Sequence, residues 1–174
     1  MVLTWLVAGC IKSGGLAVAD QRPIAVVAVV DAANAADTAD APERFDAAVV
    51  DAARARGLVP TVHDHTELVA TLTARRETTL RIAPLRAELP TGPILLVETR
   101  PAYYAEMAGQ YRWIVGVTVT LVDEGDAAVL SERFDVPVFL RYHHQRETDA
   151  VDASRGVVAR HVGELVDTWL GAGG

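Results

Sequence analysis

The sequence predicts one α/β domain of the α+β type: a mixed sheet in the order β-α-β-α-β-β-β-α, with a long antiparallel hairpin and a C-terminal helix. Three observations carry that expectation. Ile24-Ala-Val-Val-Ala-Val-Val30 is a continuous β-branched run bounded by Pro23 and Asp31, the mark of a strand covered on both faces. Further on, Trp113, Val115, Val117, Val119 and Leu121 alternate with Arg112, Ile114, Gly116, Thr118 and Thr120. That is the two-residue period of a strand with one buried face. Near the end, Val158, Val162, Leu165 and Trp169 recur at helical spacing.

The elements follow in order. After the first run, the stretch from Asp31 to Asp40 reads as a loop. Asp40-Ala-Pro-Glu43 then reads as a helix start, with Asp40 as cap, Pro42 in the first turn and Glu43 three residues after the cap. Phe45, Ala48, Val49, Ala52 and Ala55 share one helical face, and Gly57 ends it. Residues 58–62 read as a second strand, so a β-α-β unit with a right-handed crossover is expected. Asp64-His-Thr-Glu67 repeats the capping pattern. Leu68, Leu72 and Leu80 predict one or two helices as far as Glu88, with Pro84 kinking or ending the second. Pro90, Gly92 and Pro93 break the chain before the apolar residues 94–98, and residues 103–107 continue that strand past Pro101 as an edge or bulged segment. A turn at Ala108-Gly109-Gln110 leads into the alternating strand. Asp123-Glu-Gly-Asp126 turns into its hairpin partner, which carries Leu130, Phe134, Val136 and Val138. The closing helix begins near Thr148 or Asp149 and runs to Leu170, leaving residues 171–174 as a frayed end.

Composition narrows the function classes. A chain of 174 residues, 51 % hydrophobic and 22 % charged, can bury a core without disulfides or metal. One cysteine excludes an internal disulfide and a cysteine-rich metal cluster. A formal charge of −7, with Lys12 the sole lysine, argues against nucleic acid as a partner and against a lysine patch for anionic lipid.

That cysteine carries the most specific signal. Residues 1–9 are apolar and uncharged, too short for the roughly 20 residues of a membrane-spanning helix. Val7-Ala8-Gly9-Cys10 resembles the lipobox of bacterial lipoproteins, and Lys12-Ser-Gly-Gly15 behind it is a small, flexible stretch. The resemblance implies a signal peptide over residues 1–9, cleaved before Cys10, and a lipidated Cys10 carrying diacylglyceryl and acyl (palmitate-type) chains. Residues 10–21 would then be a tether and residues 22–174 a single periplasmic domain. Ile11 rather than Asp after the cysteine implies the outer membrane. No Lys or Arg precedes the apolar run, and the run is short for a signal peptide; both are departures from the family pattern. Two or three acyl chains, at about 0.8 kcal/mol per buried CH₂, hold a protein stably without any basic patch.

The search for chemistry returns few candidates. His63 and His65 stand two apart, a spacing at which imidazoles can share a metal, but no further histidine or cysteine backs them. His143 and His144 are adjacent in a polar loop, and His161 falls near the apolar stripe of the last helix. Asp31, Asn34, Asp37 and Asp40 follow a strand end, where α/β proteins bind ligands, yet their spacing misses a calcium loop and reads as solvated. Arg75, Arg76, Arg81 and Arg86 read as the solvated face of a helix. The motifs of serine hydrolases, phosphate loops, zinc proteases and dinucleotide sites are absent from the sequence. No catalytic residue, metal ligand or cofactor is therefore assigned, and no enzymatic activity is expected. Tyr103, Tyr104, Tyr111 and Trp113 cluster around the turn at Gly109, with Tyr142 at the end of the next strand. Tyr and Trp suit half-buried binding surfaces.

Taken together, Cys10, the tether, the apolar strand from Ile94, Leu121-Val122-Asp123 and Leu130-Ser131 resemble small periplasmic lipoproteins of Gram-negative bacteria. The pattern is similar to TolB N-terminal, CsgG-type and LpoB-type domains and to the auxiliary lipoproteins of ABC transporters. The resemblance implies a non-enzymatic binding or assembly module, lipid-anchored at the periplasmic face of the outer membrane, with an envelope protein as partner. Two other readings stay open: a soluble metal-dependent or other enzyme using His63, His65 and the loop between Asp31 and Asp40, and a cytoplasmic α/β protein in which residues 2–9 form a strand.

Overall fold

The apolar run after Pro23 becomes the strand around which the sheet is built. A computed structural model describes residues 22–31, 38–64, 68, 71–72, 75, 77–124 and 129–172. In chain order the elements are β1 (Arg22–Asp31), β2 (Thr38–Asp40), α1 (Glu43–Arg54), β3 (Leu58–Val62), α2 (Thr78–Glu88), β4 (Ile94–Met107), β5 (Gln110–Val122), β6 (Val129–Leu140) and α3 (Glu147–Ala172). They form a mixed α+β domain with a six-stranded sheet, in line with the expected class.

β1 is parallel to β4 on one side. On its other side it pairs first with β3, in parallel, and then with the short β2, antiparallel, between residues 29–31 and 38–40. β4, β5 and β6 form an antiparallel meander with β6 at the sheet edge. The pleat divides the core between two faces. Ile24, Val26, Ala28 and Val30 of β1 join Leu95, Val97 and the inward residues of β5 beneath α1 and α3. Val27 and Val29 join Ile94, Leu96 and Val122 beneath Leu68, Leu72 and Leu85.

β1 meets β4 only as far as Val30 and Thr99, whereas β4 runs on to Met107. Residues 100–107 therefore pair with β5 alone and form part of a ribbon that overhangs the sheet by roughly 25 Å at 3.3 Å per residue. Pro101 and a bulge between Tyr103 and Ala105 interrupt β4 along the stretch whose outer edge is unpaired. Both are ordinary protections of an exposed strand edge. Ala108 and Gly109, at φ 51° and 75°, close the tip; positive φ at both central residues matches the twist of the flanking strands.

Several expectations change. The segment before Asp40 contains β2, and Asp40 is drawn into that pairing rather than capping a helix. α1 starts after Pro42, whose carbonyl accepts the amides of Phe45 and Asp46. Its buried residues are Phe45, Val49, Val50 and Ala53, a stripe turned slightly from the predicted one. Pro84 does not end α2, which continues to Glu88. The residue four before it, Leu80, is exposed, so the carbonyl that proline deprives of a partner lies on the solvent side. Leu80 is thus not a core residue, and Leu85 takes that part. Pro101 is absorbed within one strand, and α3 keeps the predicted stripe of Val158, Val162, Leu165 and Trp169.

Candidate functional site

Two groups of polar and aromatic side chains stand out, one closed and one open. The closed one lies where β1 ends. Asp31 and Glu98 sit on neighbouring strands with side chains on the same face, and Arg81 of α2 descends between them. Arg81 is 0 % exposed, and Asp31 and Glu98 are each 2 % exposed. All five guanidinium donors are used. Nη1 donates to Asp31 Oδ2 at 3.0 Å and to Glu98 Oε1 at 2.5 Å. Nη2 donates to Asp31 Oδ1 at 2.9 Å and to the Leu72 carbonyl at 2.8 Å, and Nε donates to the Arg75 carbonyl. Thr78 Oγ1 donates to Glu98, and Arg100 Nε lies 3.6 Å from Asp31 Oδ2. Burial works against the Arg81 charge, but Asp31 and Glu98 outweigh it and hold the guanidinium above its ordinary value. Two carboxylates and two arginines balance in charge. The cluster fixes α2 and the chain before it to the sheet, and its central groups are closed to solvent.

This corrects two expectations. Arg81 is not on a solvated helix face, and Asp31 is not in a solvated loop. The missed signal was Glu98, a carboxylate directly after the apolar residues 94–97 of a doubly covered strand; such a group needs a buried cation. Arg86 is also half-buried, donating to the carbonyls of Leu89, Gly92 and Asp123.

The open group is at the far end of the ribbon. Tyr103 and Trp113 face each other across β4 and β5, with rings edge-to-face at 5.6 Å. With Tyr111, His143, Gln145 and Arg146 they line a cleft of about 300 Å³ on the side of α3. Tyr104 is on the opposite face, where the Arg112 guanidinium stacks 4.8 Å from its ring centre and 6.0 Å from that of Phe139. Tyr142 stacks on His144 at 5.5 Å. The aromatics predicted as a binding surface are thus brought to one end, divided between two faces. Met107 and Phe139 were missed. Phe139 held the sequence signal, since it occupies the outward phase of β6 between buried Val138 and Leu140.

The remaining candidates do not assemble. His63 is half-buried at the end of β3, its amide donating to the Val26 carbonyl. His65, Asn34, Asp37, Arg76 and Cys10 lie outside the described residues. Among the described residues no three His, Cys, Asp or Glu side chains come together as a metal site. His161 is packed: it stacks on Phe134 at 3.8 Å and meets Glu132 Oε1 at 2.8 Å. Asp46 of α1 has a buried Oδ1 without a hydrogen-bond partner, and burial, aided by Asp40, pushes its carboxyl up to about 7.

No protein-family model and no curated protein matches this chain. Solved structures similar to it include three of bacterial origin. A PelC dodecamer from Paraburkholderia phytofirmans is 14 % identical, over 83 % of this chain and 87 % of that one, with a TM-score of 0.45. The lipoprotein GNA1162 from Neisseria meningitidis is 11 % identical, over 82 % and 99 %, at 0.43. The hypothetical protein CT253 from Chlamydia trachomatis is 13 % identical, over 84 % and 95 %, at 0.44.

Proposed function

We propose that this protein is a lipid-anchored module of the bacterial outer membrane that binds a partner protein of the envelope at its hairpin tip and performs no catalysis itself. One observation carries the reading: the molecule is polar along its length. β1 begins at Arg22, beside Pro93 and Trp169, at the end of the sheet where β4 starts. β4 runs beside β1 as far as Thr99 and then continues without it to Met107, 14 residues or roughly 45 Å in all, toward the tip. A tether from Cys10 to Gln21 would enter at the first end, leaving the second facing away from the bilayer. Among the described residues, five of the nine exposed large hydrophobic side chains, Tyr103, Tyr104, Met107, Phe139 and Tyr142, gather at that second end. An apolar concentration of this kind marks an interaction surface more often than a free one. The enzyme alternative loses a central residue, because Asp31 is sealed against Arg81.

Two measurements test the reading. Radiolabelled palmitate should enter the wild type and not Cys10→Ala; an unlabelled wild type overturns the anchor. A photo-crosslinking residue at Tyr104 should capture a discrete envelope protein, while one at Val157, exposed on α3, should not. Equal capture from both positions overturns the tip as the binding end.

A further inference from the structure

We propose that the cleft beneath the tip, lined by Tyr103, Tyr111, Trp113, His143, Gln145 and Arg146, binds a carboxylated sugar ring of the kind that repeats in acidic glycans. The proposal deepens the reading of the tip as the binding end and is independent of the anchor at Cys10.

The walls supply the first half of the argument. Tyr103 and Trp113 meet edge-to-face, so their rings make a corner rather than a flat sheet, with Tyr111 beside them. A volume of about 300 Å³ suits one or two sugar rings and lies at the small end of ligand pockets. Aromatic faces pack well against the C–H face of a pyranose, which is apolar although its rim is polar. β5 is paired on both sides at Tyr111 and Trp113, and the outer edge of β4 is interrupted by Pro101 and by the bulge between Tyr103 and Ala105, so the lining offers chiefly side chains. An extended peptide, which is held chiefly by main-chain pairing, finds less here than a compact ring does.

The rim supplies the second half. Gln145 accepts the amides of Arg141 and Tyr142 through Oε1, at 3.0 Å each. That oxygen is thereby fixed, and the amide nitrogen is what Gln145 has left to offer. The same bonds, with the main-chain N–H of Gln145 donating to the Tyr142 carbonyl at 3.1 Å, close the loop that carries His143. Arg146 gives its main-chain N–H to Asp149 Oδ2 at 2.7 Å, while its guanidinium has no carboxylate partner among the described residues. Among the described residues no Asp or Glu lines the cleft. In a chain of net charge −7, a concave aromatic site with a free guanidinium, an amide donor and an imidazole selects for an acceptor-rich anion. A guanidinium matches a carboxylate in two parallel hydrogen bonds, and the remaining donors match ring hydroxyls.

The test is titration of the full chain with trigalacturonic acid, neutral galactotriose and hexaglutamate. It is read by calorimetry and by the Trp113 indole N–H resonance. Trigalacturonic acid should saturate, shift that resonance and bind at least tenfold tighter than galactotriose. Arg146→Gln and Tyr103→Ala should each weaken it tenfold or more with unchanged thermal unfolding, and Arg146→Lys should retain part of the affinity. Absence of saturation, equal binding of the neutral sugar, or indifference to Arg146→Gln overturns the site. Tighter binding of hexaglutamate also overturns it, in favour of an acidic peptide. The outcome is separable from the parent reading: crosslinking from Tyr104 without sugar binding refutes this site alone, and sugar binding without crosslinking refutes the protein partner alone.

Discussion

Arg81 and Arg146 are the same residue type in opposite circumstances. Arg81 is wholly buried, and every one of its donors meets an oxygen of Asp31, Glu98, Leu72 or Arg75. Arg146 stands at the rim of an aromatic cleft, and its guanidinium meets no acid among the described residues. The difference assigns their roles. A guanidinium whose donors are all matched within the fold has nothing left for a ligand, and its charge is consumed in holding α2 to the sheet. One whose donors are unmatched costs the fold nothing and keeps its full capacity for a partner. Arg56 lies between the two. It donates to the carbonyls of Gly163 and Ala52 and to both oxygens of Asp167, clamping the end of α1 to α3 at a partly exposed site.

The comparison breaks most visibly at Arg81. Arg81→Met leaves Asp31 and Glu98 buried beside one partly exposed arginine, so urea unfolding should show a loss of about 3–5 kcal/mol. Arg81→Lys should fall between, because an ammonium keeps the charge without the two-pronged match to Asp31. A wild-type midpoint in the Met variant would mean that the cluster is no more than a surface pair.

How much of this could be read from sequence depends on range. The hairpin of β5 and β6, the stripe of α3 and the doubly covered β1 were legible because alternation and helical spacing are local properties of the chain. Trp113 and Tyr111 could be placed near Tyr103 for the same reason, since a turn at Gly109 separates them by only a few residues. The Arg81 cluster was not legible, because it joins residues 50 and 17 positions apart. A helix surface rich in arginine looks the same in sequence whether it meets water or two carboxylates. Pro84 and Asp40 misled for a related reason: local rules predict what each residue prefers, and sheet pairing or an exposed helix face overrode the preference. Gln145 was unremarkable in sequence, and only the fold shows that its oxygen is spent on the loop.

Arg56 sharpens the middle of the scale. A Cβ placed on Gly163 would lie 2.2 Å from Arg56 Nη2, so the absence of a side chain there is what admits the clamp. Gly163→Ala should push the flexible end of Arg56 out of the clamp, so the lost hydrogen bonds offset alanine's better helix propensity and the net change stays within about 1 kcal/mol. In an Arg56→Ala background the same change should stabilise, because the obstructed group is gone. Additive effects of the two changes in thermal unfolding would show that the clamp does not depend on the glycine.

Asp46 supplies the acid counterpart, a half-buried carboxylate whose Oδ1 has no hydrogen-bond partner among the described residues. Asp31 faces the Arg81 guanidinium at 2.9 Å; Asp46 is pushed up to about 7 from 3.8, first by burial and then by Asp40. The sign of the linkage follows. Below about pH 4 the group is protonated in both folded and unfolded chains and costs nothing. Between about pH 4 and 7 the unfolded chain ionises while the folded one resists, so stability falls as pH rises. Above about pH 7 both are ionised and the full penalty persists, about 1–2 kcal/mol once partial solvent access is allowed for. Asp46→Asn removes the ionisation, so the variant should gain on the wild type as pH rises from 4 to 8 and hold a constant advantage beyond. Its stability profile, measured by urea unfolding at each pH, should be flatter over that window by the same amount. A constant difference from pH 4 to 8 would mean that Asp46 is solvated like any surface acid. The contrast between paired and unpaired charge would then hold for the arginines alone.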